Sequence, residues 1–337
     1  MPLVSVIIPV YNVERYIEAS VGSVIAQTER DIEIILVNDG SSDRSGELCR
    51  KLRERDSRIR VIDKENGGVS SARNAGIAAA EGKWIYFMDC DDLIEADTLE
   101  CAVKKAEETG ADACFFDYDR VYENMTEPKR SLADSDGFVS NVDNYRAMFS
   151  FNYFGGMWNC IIKAELIKED VRFNEKISIG EDQLFKFECF GRVHSYSYVP
   201  QVKYHYMIRE GSALNTVRTD YTYAADVLCD GMTAVMKKYG YPEYARRFIN
   251  TVYLQYFHKL IMNTYPQSNK KSLSDKLDTI ESFVGTDRFR EAVKNNDPSV
   301  LGRAIRIHRH FNRKLWIISY FAYLISASKR MGKKLIK

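Results

Sequence analysis

The sequence predicts an α/β fold: a Rossmann-like, mostly parallel sheet with flanking helices, plus a C-terminal helical region. Three observations carry this. Short β-branched runs alternate with helix-period segments through roughly the first 120 residues. Clusters of polar turn formers follow those runs. From about Asp220 onward strand signals give way to long amphipathic segments. A chain of 337 residues is long enough for two domains, and the change of pattern sets the expected boundary at 1–215 and 216–337.

The elements follow in order. Val4 to Val10 is a β-branched strand stopped by Tyr11-Asn12, and Val13, Ile17, Val21, Val24 and Ile25 then recur at helical spacing. Glu33 to Asn38 is a second strand, bounded by Asp39-Gly40-Ser41-Ser42-Asp43. A charged helix spans about Ser45 to Asp56, and Ile59 to Ile62 is a third strand. Asn66-Gly67-Gly68 is a turn before an Ala-rich helix from Val69 to Ala80. Trp84 to Met88 is a fourth strand, stopped by Asp89-Cys90-Asp91-Asp92. Ala96 to Glu108 is a helix closed by Gly110, and Asp112 to Tyr118 a fifth strand. Further on, 144–149 reads as a short helix, Gly155-Gly156 as a flexible point, and Glu181 to Phe190 as a helix opening on two carboxylates. Val193 to Tyr198 and Val202 to Ile208 read as two strands.

Composition narrows the functional classes. With 45% hydrophobic and 28% charged residues the chain is neither disordered nor fibrous. No apolar run approaches the ~20 residues of a spanning helix, and Met1-Pro2-Leu3 leads straight into a strand, so a cytoplasmic protein is expected. Seven cysteines without a C-x-x-C pair, and five histidines spaced only as His308-x-His310, argue against disulfides, zinc or thiolate chemistry. The net charge of +1 is uneven. Ten basic and no acidic residues lie in 303–337, which leaves residues 1–302 with 38 basic and 47 acidic side chains, a net of −9.

In an open parallel sheet, ligands bind beyond the carboxyl ends of the strands, where strand order reverses. Tyr11-Asn12, Asn38-Asp39, Asn66-Gly67-Gly68 and Asp89-Cys90-Asp91-Asp92 all follow strands and converge on that rim. No G-x-G-x-x-G follows the first strand and no P-loop is present. Asp89-x-Asp91 offers hard oxygen ligands to Mn²⁺ or Mg²⁺, whose charge would neutralise a departing nucleoside diphosphate. The bland alternative for such a pair is a turn or a helix cap.

Five ordered motifs resemble those of the family 2 glycosyltransferases. They are Val4 to Asn12, Val37 to Asp43, Asn66 to Gly76, Phe87 to Asp92 and Gly180 to Phe185, and the likeness covers about residues 3 to 212. The resemblance implies a GT-A fold and inverting transfer of a sugar from a nucleotide donor, usually with a metal ion. By the same resemblance Pro9, Tyr11 and Asp39 hold the base, with Asp39 accepting from a uracil N–H; an Asx-turn is its alternative. Arg73 lies near diphosphate and base, or else pairs with a surface carboxylate. Asp89 touches the ribose, Asp91 ligates the metal with Asp89 beside it, and Asn66 and Cys90 complete the donor-binding set. Donor choice would be shaped by Cys90, Trp158 and Asn159.

Glu181-Asp182 resembles the family's E-D motif, whose aspartate is the catalytic base. Adjacent helical residues point about 100° apart, so only one can face the anomeric carbon, and Asp182 is the choice. The alternative is a carboxylate pair that merely favours the helix macrodipole. Many family members carry a histidine where this chain has Arg209. Arginine cannot ligate a cation but can contact diphosphate oxygens. His205 is a further neighbour, on the opposite strand face to Tyr204 and Tyr206.

The apolar run Leu315 to Ile325, flanked by Lys/Arg clusters and with Trp316, Tyr320 and Tyr323 on one helical face, suits a helix in the interface of an anionic inner leaflet. The alternative is a terminal helix docked on its own domain. Nucleic acid is not an expected partner. The expected function is transfer from a nucleotide sugar, a UDP-sugar by preference, to a glycan or lipid-linked saccharide in cell-surface polysaccharide synthesis. Its rivals are a nucleotide-sugar-binding scaffold without catalysis, and a nucleotidyltransferase, which would need a Gly-rich triphosphate loop.

Overall fold

The computed structural model describes residues 1–131, 139–140, 156–167, 169–209, 221–239, 243–264 and 271–295. The expected 144–149 helix, Gly155, the 210–212 end of the family likeness and the basic 303–337 segment lie outside them. The chain divides into two compact units, Met1–Ser212 and Ala213–Lys337.

The first unit begins with a parallel sheet. Strands β1 (Val4–Val10), β2 (Ile32–Asp39), β3 (Ile59–Lys64) and β4 (Trp84–Phe87) stand in the order β3-β2-β1-β4. Both faces are covered, so β1 and β2 read as near-continuous apolar runs. Helix α1 (Ile17–Ile25) buries Ile17, Val21 and Val24, and α2 (Ser45–Arg55) buries Cys49 and Leu52. On α3 (Val69–Ala79), a Cβ on Gly76 would lie 2.3 Å from Ile7 Cγ2, so glycine is what lets this helix lie against β1.

The rest of the sheet is mixed. After β5 (Leu93–Ile94) and α4 (Thr98–Thr109), β6 (Ala113–Tyr122) forms a hairpin with β7 (Met125–Lys129), and the two-residue β8 (Val139–Ser140) follows. Strand β9 (Cys160–Lys163) enters antiparallel between β4 and β6. Helix α5 (Glu181–Phe190) precedes β10 (Ser195–Met207), which runs parallel to β6 and antiparallel to β5 and β8. The path is β3-β2-β1-β4-β9-β6-β10-β5.

Two expectations change here. The strands expected at 193–198 and 202–208 are the single β10, whose register shifts between Val199 and Tyr204 absorb Pro200 and Gln201 as an irregularity. The mostly parallel sheet is parallel in its first half, and β9, β7 and β5 add antiparallel edges and a central antiparallel strand.

The second unit is helical among its described residues: α6 (Tyr221–Tyr239), α7 (Glu243–Thr264), α8 (Leu273–Val284) and α9 (Asp287–Asn295). Its core gathers Tyr253, Phe257, Phe283 and Phe289, with Phe257 and Phe289 centroids 4.9 Å apart in an edge-on contact. No helix among the described residues is long and apolar enough to cross a membrane.

Candidate active site

The crevice is set by strand lengths. Strand β4 pairs with β1 only as far as Phe87 opposite Ile7, while β1 continues beside β2 to Val10 opposite Asn38. The reversal of strand order between β1 and β4 therefore opens a cleft beyond their carboxyl ends. Half-buried Pro9 and Tyr11, 52% exposed, stand on its β1 side. Asn12 adopts φ 52°, and its Oδ1 accepts from the amide of Ser42 at 2.9 Å, which ties the β1 loop to the β2 loop.

Asp39 is 2% exposed at the end of β2. Its Oδ1 accepts from Lys64 Nζ at 2.6 Å and from the Gly67 amide at 2.9 Å, and its Oδ2 from the Gly68 amide at 2.8 Å. Asn66 Nδ2 donates to the Asp39 carbonyl at 3.0 Å. A Cβ on Gly40 would meet the Asn66 nitrogen at 2.7 Å, and φ +68° disfavours a side chain as well. The Asx-turn alternative falls to Asn38, whose Oδ1 accepts from the Ser41 amide. Asp39 instead organises the 66–68 turn, with one of its four lone-pair sites unclaimed by these bonds.

Arg73 is the centre of the cleft. Its Nη2 donates to Asp89 Oδ1 at 2.8 Å and its Nη1 to Glu181 Oε1 at 3.3 Å. The guanidinium is 7% exposed and its acidity is further suppressed, since Asp89, Glu181 and Asp182 together outweigh the burial that opposes its charge. It is no surface ion pair. Neighbouring Asn74 exchanges hydrogen bonds with the backbone of Phe173, at 2.8 and 3.0 Å. Phe173 stacks on Phe185 of α5 at 3.8 Å, and both meet Phe87 edge-on. These contacts bring the start of α5 to the end of β4.

The two carboxylates at that start have different surroundings. Glu181 is buried against Arg73, and burial followed by the Asp182 charge pushes its carboxyl up to about 7. Asp182 is half-buried, and its Oδ1 accepts from the amide of Gln183 at 2.8 Å.

Asp89 and Asp91 keep 30% and 39% side-chain exposure. Burial and then the charge of Asp89 raise the Asp91 carboxyl above its ordinary range, as expected of like charges short of a cation. Two hard oxygen donors of this kind fit Mn²⁺ or Mg²⁺. Among the described residues no group of three or more His, Cys, Asp or Glu could hold a metal.

Arg209 faces the pair from the end of β10. It donates to the Asp91 carbonyl, its Nη1 lies 3.9 Å from Asp91 Oδ2, and its Cζ sits 3.5 Å from the centroid of the Tyr16 ring. Arg73 Nε and Arg209 Nη1 are buried without a protein hydrogen-bond partner, Arg73 beside Asp89 and Arg209 beside Asp91.

Cys90, expected in the donor-binding set, is buried, and the neighbouring His205 is engaged by other carboxylates. Cys90 is 3% exposed and its thiol belongs to the hydrophobic core, where burial holds it well above its ordinary pKa. β4 ends at Phe87, and in the turn that follows Asp89 and Asp91 keep partial exposure while Cys90 packs inward. His205 is claimed on both ring nitrogens, by Asp119 at 2.9 Å and Glu95 at 3.0 Å. Asp92, unassigned from sequence, is buried and holds the Tyr204 hydroxyl and the Met207 amide, which fastens β10 to this rim. Tyr204 stacks on Trp158 at 4.5 Å.

Fold and site together define an α/β protein with an acidic cleft braced by arginine. The profile described as "Glycosyl transferase family 2" matches residues 5–171. Glycosyltransferase GlyA of Streptococcus pneumoniae is 33% identical over 256 residues, 71% of this chain and 35% of GlyA. The glycosyltransferase EpsJ of Bacillus subtilis is 38% identical over 199 residues, 56% of each chain. The chain thus spans about a third and just over half of these relatives. S. aureus TarS in complex with UDP-GlcNAc superposes with a TM-score of 0.69 at 22% identity, covering 98% of this chain and 92% of that one, which establishes the GT-A fold. The chain belongs to the family 2 glycosyltransferases.

Proposed function

We propose that the protein is an inverting glycosyltransferase that moves a sugar from a nucleotide donor, a UDP-sugar, to a glycan or lipid-linked saccharide. The observation that carries this reading is the convergence of Asp89 and Glu181 on Arg73, which brings the start of α5 to the Asp89–Asp91 rim. The cleft then has charges suited to a diphosphate at one end and an accessible carboxylate at the other.

In this reading Pro9, Tyr11, Asn66 and the Asp39-organised turn receive the base, and Asp89 the ribose. Asp91 with Asp89 would hold Mn²⁺ or Mg²⁺, the remaining ligands coming from donor phosphates and water. The bound cation supplies charge neutralisation for the leaving diphosphate. Arg73 and Arg209 offer further donors to its oxygens. Asp182 takes the proton of the acceptor hydroxyl as that oxygen attacks the anomeric carbon from the face opposite the nucleotide. Glu181 is held by Arg73 and does not act as the base. The acceptor class rests on the family, and contact of 303–337 with an anionic leaflet rests on its composition.

The test is UDP release from a panel of UDP-sugars, with and without Mn²⁺, beside a saccharide acceptor mixture. Metal-stimulated release that needs acceptor is expected. Nucleotide binding with no release from any donor would favour the scaffold reading.

A further inference from the structure

Lys186 is a lysine buried where a helix of this kind should carry an apolar residue. It lies on α5 one turn after Asp182, is 0% exposed, and has Leu184, Phe185, Phe187 and Cys189 buried around it. Burial pulls its ammonium below the ordinary lysine pKa. A buried ammonium is costly unless its donors are satisfied in good geometry.

Those donors reach the chain just before β9. Nζ donates to the Gly156 carbonyl at 3.1 Å and to Asn159 Oδ1 at 2.9 Å, and lies 5.3 Å from the Phe115 ring centroid. Asn159 Nδ2 passes the chain on to Ser131 Oγ at 3.0 Å. Ser131 donates its amide to Asp117 at 2.6 Å, and Asp117 also accepts from Tyr198. A buried polar network therefore runs from α5 to β6 and β10, and a satisfied network of this kind rigidifies what it joins.

What it holds in place is Trp158, within the Gly156–Asn159 turn. The indole stacks on Tyr204 and Tyr206, with Tyr118 edge-on at 4.6 Å. Tyr204 is bonded to Asp92, so this aromatic group borders the acidic rim.

We propose that Lys186 is a positioning residue: its ammonium locks the Gly156–Asn159 turn, and with it Trp158, to the helix that carries Asp182. Trp158 is 8% exposed and packs in the core with Tyr204, so the lock holds the layer beneath the acidic rim at one spacing from the base. This rests on the reading of Asp182 as base.

Lys186→Met keeps the length of the side chain without the charge, and Asn159→Ala removes one acceptor while leaving α5 intact. In both, hydrogen exchange over residues 157–160 should accelerate about tenfold or more, with β1 unchanged. Turnover should fall about 10- to 100-fold while UDP affinity stays within about twofold, the split expected of lost geometry. Wild-type exchange and turnover in folded Lys186→Met would overturn the proposal, as would a UDP affinity that falls in step with turnover. If Lys186→Met does not fold, Asn159→Ala decides by the same criteria. Asp182→Asn is run alongside: full turnover there removes the base assignment, while the exchange data still judge the lock.

Discussion

Arg73 and Glu181, 108 positions apart in the chain, meet through Nη1 and Oε1 at 3.3 Å. The second arm of the same guanidinium holds Asp89 at 2.8 Å. One planar fork thus joins the strand that bears the Asp-x-Asp pair to the helix that bears Glu181 and Asp182, which an ammonium could not span equally well.

Removing that fork strands Glu181 as a buried carboxylate without its cation. Arg73→Ala should lower unfolding stability by about 3–5 kcal/mol, and Arg73→Lys should recover only part of it. Urea titration at neutral pH measures this. A loss under about 1 kcal/mol would mean the brace contributes little.

Asp182→Asn should lower transfer by about 10²–10⁴-fold with UDP binding unchanged, the range expected for a lost general base. Glu181→Gln should act mainly on stability. Parallel turnover and calorimetric UDP titration of the two variants separate the roles, and equal losses of turnover would contradict the division.

Arg209→Gln should weaken UDP binding about tenfold, because a charge-assisted donor to diphosphate is lost. Uridine, which carries no phosphate, should bind the variant and the wild type alike. Isothermal titration of both ligands is the check, and an equal loss for uridine would place Arg209 at the base rather than the diphosphate.

Glu181 also gives a pH dependence. Its carboxyl is raised from 4.5 to about 7 in the fold, by burial first and Asp182 second, against the pull of Arg73. The native state therefore binds a proton more tightly than the unfolded chain. The associated stability is fully present below pH 4.5 and is lost as pH rises through 7. Between about pH 5 and 8 the nucleotide-free protein should lose up to about 3 kcal/mol from this group, and Glu181→Gln should flatten that slope.

The parallel half of the sheet was legible because its strands are apolar on both faces and each ends in turn formers, as at Asp39-Gly40 and Asp89-Cys90. Strand β9 was not, since Cys160–Lys163 is four residues long and has no alternation to separate it from a buried loop. Pro200 read as a break because the irregularity that accommodates it depends on its partner strand β6. Asp89, Asp91, Arg73 and Asp182 are candidates from motif positions, and the Arg73 hydrogen bonds join Asp89 to the Glu181 that precedes Asp182. Lys186 and Asn74 were not legible, because a lone lysine or asparagine in a helical pattern reads as solvated surface until tertiary packing buries it. Cys90 lies in the turn after β4 with its thiol in the core, a direction that motif spacing alone does not fix.

The insertion of β9 between β4 and β6 makes the order of synthesis matter. A nascent chain that has exposed everything through β6 still lacks the middle rung of its sheet, and the flank of β4 stays bare until Lys163 has emerged from the ribosome. Such a gap is closed late, by a contact between distant parts of the chain, and late closure is slow. Truncation between β6 and β9 should accordingly yield sticky intermediates with open strand edges, and no weakly active fragment. The seam between β6 and β5 stays open longer still, until β10 follows the helix of Asp182 out of the ribosome.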